Sequence, residues 1–149
     1  MAYYSTKTYD HNEGLSCAFR QWRATHSHCR LIHGYALAVK FKFGCKKLDD
    51  RNWVQDFGGL KAIKSWLKHM FDHTTVIAED DPEKETFQQL EKKGIIDLRI
   101  IPGVGCEKFA EFIYNYVAKT IKDESQGRVW LESVEVREHG ANSAIFTRD

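Results

Sequence analysis

Between Tyr35 and Phe43 the side chains alternate without a break, Tyr35, Leu37, Val39, Phe41 and Phe43 on one side and Ala36, Ala38, Lys40 and Lys42 on the other. Period-two alternation of this length describes a strand with one face on a core, and it is incompatible with an amphipathic helix. Directly before it, the loop from Arg23 to Gly34 carries His26, His28, Cys29 and His33. A strand that holds such a loop is a rigid base on which a site can be built. Taken singly, the loop residues also fit solvent-facing histidines around a small packed cysteine.

A chain of 149 residues suits one domain, 1–149. Hydrophobic content of 42% and only two prolines exclude a disordered chain or a proline-rich linker. The 22 basic and 21 acidic residues leave a net charge of +1, so neither nucleic acid nor an anionic membrane surface is expected as a partner. No run approaches the ~18 apolar residues of a membrane span. The four cysteines form no Cys-x-x-Cys pair, and the first residues lack a charged segment followed by an apolar one. Together these features predict a cytoplasmic protein with reduced thiols.

Tyr3 to Phe19 reads as a first strand, broken near the polar stretch Asp10–Gly14. After the Tyr35–Phe43 strand, Trp53–Gln55 reads as a short extended piece. Leu60, Ile63, Trp66, Leu67, Met70 and Phe71 recur at helical spacing, with Asp56 and Gly58 as entry residues. Glu83–Lys93 predicts a short surface helix and Ile95–Ile101 an extended segment. A second long helix starts near Cys106 with Phe109, Phe112, Ile113, Tyr116 or Val117, and Ile121 on one side. Val129–His139 and Ser143–Thr147 close the chain as a hairpin. The order of the main elements, β-β-α-α-β-β, predicts an α+β domain whose antiparallel sheet is covered on one face.

Cys29-Arg30-Leu31-Ile32-His33-Gly34-Tyr35 resembles the Cys-x-x-x-His-Gly-His segment of the 6-pyruvoyltetrahydropterin synthase and 6-carboxytetrahydropterin synthase family. Four further landmarks follow in the family's order. They are Val54-Gln55-Asp56-Phe57 through Leu60-Lys61, then Phe71-Asp72-His73, Cys106-Glu107-Lys108-Phe109-Ala110, and Val134-Glu135-Val136-Arg137-Glu138. The resemblance implies a tunnelling fold, a four-stranded antiparallel sheet with two helices on one face. It also implies a homo-hexamer, a dimer of trimers with active sites between subunits, and a small-molecule pterin or purine substrate. In that family 7,8-dihydroneopterin triphosphate loses triphosphate after proton transfers at its side-chain carbons. By resemblance Cys29 stands at the base, Asp72 and His73 at the proton relay, and Glu138 at the carboxylate that grips the pterin ring. Glu107, Cys106 and Arg23 are further candidates for substrate contact.

The family's electrophile is zinc on three histidines, and here the chain departs from the pattern. Phe19 stands at the first ligand position and Tyr35 at the third, so only His33 remains. With about three protein ligands needed for catalytic zinc, the inherited set is expected to bind it poorly. His26 and His28 could join His33 in a displaced metal site, or could flank the pocket without a ligand. The leading expectation is a pterin lyase or synthase. The alternatives are a pterin- or purine-binding module without zinc, and a metal-binding structural protein using His26, His28, Cys29 and His33.

Overall fold

The computed structural model describes residues 1–149. The strand β1 (Tyr3–Tyr9) runs to a 3-10 turn at His11–Glu13, capped by the Asp10 carboxylate and closed by Gly14, and β2 (Leu15–Phe19) continues beyond it. Both pieces pair antiparallel with the same side of the long β3 (His33–Cys45), β1 with its second half and β2 with its first. They are one strand interrupted by a turn. On the other side β3 pairs with β6 (Val129–His139), which pairs with β7 (Asn142–Thr147). These strands make the four-stranded antiparallel sheet the sequence predicts.

Two parallel strands extend it. β4 (Thr74–Ala78) runs parallel to β2, and β5 (Leu98–Ile101) runs parallel to β4, so the whole is a mixed seven-stranded sheet. The antiparallel part is the one the sequence predicts, and the two parallel strands are additions to it. All five residues of β4 are buried, which erases the alternation that marks an ordinary strand. Trp53–Gln55 forms no strand; only Val54 turns inward.

The helices are α1 (Lys61–Phe71), α2 (Lys84–Lys92) and α3 (Cys106–Glu124). Asp56 accepts a hydrogen bond from the Gly58 amide at 2.9 Å and so opens the 3-10 turn Phe57–Leu60 that leads into α1. Ile63, Leu67 and Phe71 of α1 meet Phe109, Ile113, Val117 and Ile121 of α3 over the inward residues of β3 and β6. Val117, not Tyr116, faces the core; Tyr116 lies outside, stacked on Trp66 at 4.0 Å. The third helix, α2, covers the opposite face of the parallel strands through Ile77, Phe87 and Leu98. No helix is long and apolar enough to cross a membrane.

Candidate active site

Of the expected site residues, Cys29, His33, Cys106, Glu107 and Glu138 lie on the stretches where β2 ends, β3 and α3 begin, and β6 finishes. The loop after β2 is tied down at several points. The Gln21 amide nitrogen donates to the Cys29 carbonyl at 2.8 Å, and the Gln21 side chain donates to the Val104 carbonyl at 2.7 Å, just before α3. Gly105 has φ +103°, and a Cβ there would meet that Gln21 side chain, so glycine is required. Arg20 reaches Asp81 with two hydrogen bonds of 2.9 and 2.6 Å. Cys29 therefore stands exposed on a pinned loop, in a 3-10 turn (His28–Arg30) capped by Ser27.

Glu138 is aimed by a β-bulge. Between Arg137 and His139, β6 advances two residues while β7 advances one, so Glu138 is the surplus residue. Its carboxylate and main chain reach the sulfur of Cys106 at the start of α3. Burial, followed by the Glu138 charge and hydrogen bond, pushes the Cys106 thiol up to about 12. The thiol is thus neutral beside Glu138. Glu107 sits beside it in the first turn of α3. The Tyr35 hydroxyl lies close enough to Glu138, Cys29 and Cys106 for burial and then these three groups to raise its pKa. The Tyr35 ring also lies 6.1 Å from that of His139, the residue after Glu138, so the start of β3 and the end of β6 stand side by side.

Gly34 permits the close approach of β2 and β3, since a Cβ there would lie 2.7 Å from the Cys17 carbonyl oxygen. On either side of it, the rings of His33 and Tyr35 stand 5.5 Å apart and lie 5.2 and 6.1 Å from that of Phe19. Phe19 is buried, 1% exposed, and packs edge-on against Phe109. The His33 Nδ1 lies 2.7 Å from the Leu31 carbonyl oxygen, which can only accept, so Nδ1 carries a proton and in the neutral tautomer Nε2 is the acceptor.

The Asp72–His73 pair forms at the other end of β2. Asp72 Oδ1 accepts from His73 Nδ1 at 2.7 Å, and the His73 amide donates to the Ser16 carbonyl. From Ser16 to Phe19 the strand covers roughly 10 Å at ~3.3 Å per residue, and Cys29 lies past that end. Within one chain the pair does not reach Cys29. His73 has φ +58°, unusual for a residue with a side chain. Asparagine tolerates that backbone better, so His73→Asn is expected to keep or raise the melting temperature while lowering turnover, as thermal melts and activity assays on the same preparation would reveal.

The other candidates are placed elsewhere. Arg23 is exposed, paired with Asp80 at 2.9 Å and lying 4.2 Å over the Trp22 ring. His26 and His28 stand exposed on the loop. No three His, Cys, Asp or Glu side chains come together to hold a metal ion anywhere in the chain. The family's zinc does not fit the residues present, because a phenylalanine locked into the core replaces one donor and a tyrosine another. Sequence reasoning missed Gln21 and Asp81, which position the loop; their partners lie 83 and 61 residues away and leave no local signal.

The layout, an antiparallel sheet carrying two helices on one face with the site at the strand ends, is that of the tunnelling fold. Solved structures agree: an uncharacterized protein from Wolinella succinogenes superposes with a TM-score of 0.84 at 19% identity, covering 100% of this chain and 99% of that one. The 6-pyruvoyltetrahydropterin synthase of Plasmodium vivax gives 0.72 at 15% identity, over 100% and 99%. A family model described as 6-pyruvoyl tetrahydropterin synthase matches residues 8–149, and the chain belongs to that family. Among curated relatives, the 6-carboxy-5,6,7,8-tetrahydropterin synthase of Rickettsia felis is 34% identical over 64 residues, 42% of this chain and 45% of that protein. The match thus spans less than half of that relative's length. The enzyme of the same name from Aquifex aeolicus is 25% identical over 126 residues, 81% of this chain and 76% of that one.

Proposed function

We propose that the protein is a pterin-processing lyase acting on 7,8-dihydroneopterin triphosphate or a near relative. The observation that carries this reading is the family match over residues 8–149, with Glu138 close enough to Cys106 and Tyr35 to raise the pKa of both. Glu138, beside the Cys106 thiol, would accept from the 2-amino group and ring N–H of the pterin, a paired, charge-assisted contact. Cys29, exposed at the mouth, would take and return protons at the side-chain carbons, which the adjacent ring C=N acidifies. Asp72 would fix the His73 imidazole with Nε2 free as the proton relay.

That relay would come from a second copy of the chain in a hexameric assembly. The outer edges of β1 and β7 carry no partner strand within the chain, which supports pairing of sheets between copies. Because the residues present do not suit zinc, no step is assigned to a metal.

The test is release of triphosphate from 7,8-dihydroneopterin triphosphate by purified protein, with and without added zinc. Glu138→Gln is expected to weaken pterin binding by roughly 10- to 100-fold, since a charged hydrogen-bond acceptor is worth ~1.5–3 kcal/mol; calorimetry measures it. Tight pterin binding without turnover would favour a binding module, the reading that the altered metal position also suits. No pterin binding and no release would overturn both.

A further inference from the structure

The place where relatives' sequence patterns put metal ligands is, in this chain, a donor and an acceptor on an aromatic floor. We infer that Tyr35 and His33 together read a hydroxyl group on the substrate's side chain, Tyr35 donating a hydrogen bond and His33 Nε2 accepting one, without a metal. The inference rests on the pterin reading above and gives it a substrate requirement.

His33 and Tyr35 are two apart on β3, so they emerge on the same face of the sheet. Their rings meet at 88°, and both stand over Phe19, which Phe109 fixes from below. Both rings remain partly exposed, Tyr35 while packing against the edge of the core. The Leu31 carbonyl holds the Nδ1 proton, so in the neutral imidazole the lone pair is at Nε2. A phenol supplies the complementary proton. A hydroxyl is the small group that satisfies both, because it donates and accepts at one atom. A methyl group in its place would leave both without partners, and a carbonyl would leave His33 Nε2 unpaired. The Tyr35 ring lies 6.1 Å from that of His139, the residue after Glu138, so the reader stands beside the proposed ring anchor.

Calorimetry under anaerobic conditions with chelator-treated protein tests this, using 7,8-dihydroneopterin, which carries side-chain hydroxyls, and 6-methyl-7,8-dihydropterin, which carries none. The wild type is expected to prefer dihydroneopterin by about 10- to 100-fold, as one or two hydrogen bonds imply. Tyr35→Phe and His33→Phe keep an aromatic ring at each position. Each should reduce the preference to within about threefold while leaving 6-methyl-dihydropterin binding unchanged, which also reports an intact fold. Equal binding of the two ligands by the wild type overturns the reader and leaves the pterin reading standing. So does a preference that survives both variants, or one that appears only when zinc is added back. Binding of neither ligand by the wild type overturns both proposals. Loss of both ligands in both variants, with wild-type melting behaviour, also overturns the reader, because the rings would then hold the pterin itself.

Discussion

Cys29→Ala is expected to lower triphosphate release by about 10²- to 10⁴-fold, the range a positioned acid–base group contributes, while the melting temperature stays where it was. The two halves of this expectation come from one observation. Cys29 is exposed and its thiol fills no part of the core. What holds its turn is main chain and Ser27, through the Ser27 hydroxyl accepting from the Cys29 amide at 3.2 Å and the Gln21 amide donating to the Cys29 carbonyl. Truncation at Cβ removes neither contact, and surface changes of this kind stay within about 0.5 kcal/mol. Rates and thermal melts on the same preparations check it. An undiminished rate would remove Cys29 from the mechanism.

The largest expected loss of stability follows from Asp81→Ala. The Asp81 side chain is 1% exposed and that of Arg20 20%. Asp81 accepts two hydrogen bonds from Arg20 and a third from the Glu83 amide at 2.8 Å. Truncation leaves the guanidinium largely desolvated without its counter-charge, which costs about 3 kcal/mol, the lower end for a broken buried pair since Arg20 keeps some solvent. For a domain of this size that lowers the melting temperature by roughly 6–12 °C. The loss should depend on pH. Burial alone would raise the Asp81 carboxyl, but the Arg20 hydrogen bonds, the Glu83 amide and the Arg20 charge outweigh it and hold the group below the ordinary range. A depressed carboxyl stabilises the fold above its unfolded value, ~3.9, and that contribution disappears as pH falls through the lower folded value. Wild type and variant should therefore differ by a constant margin above about pH 5 and converge below about pH 4. Melts across that interval measure the margin.

The same pair shows what the sequence withheld. Arg23 reads from the sequence as a candidate for substrate contact, yet it and Arg20 each have a carboxylate from the stretch after β4, Asp80 and Asp81 respectively. Those partners become neighbours only because β4 lies parallel to β2, and β4 itself left no pattern, being buried on both faces. By contrast β3, the terminal hairpin and the two long helices face a core on one side and water on the other, which imprints a period on the chain. The resemblance aligned Cys106 and Glu138 as landmarks, but their meeting depends on side-chain reach across two elements. The direction of Glu138 depends on the register of β7, which no reading of β6 alone supplies.

That surplus residue in β6 has a consequence for how ligand preference can change. Removing His139 would take away the irregular step in the β6–β7 register and change the direction in which Glu138 leaves the strand. Under the proposed reading, the grip on the pterin ring therefore depends on the number of residues in this turn of the strand as well as on their identity.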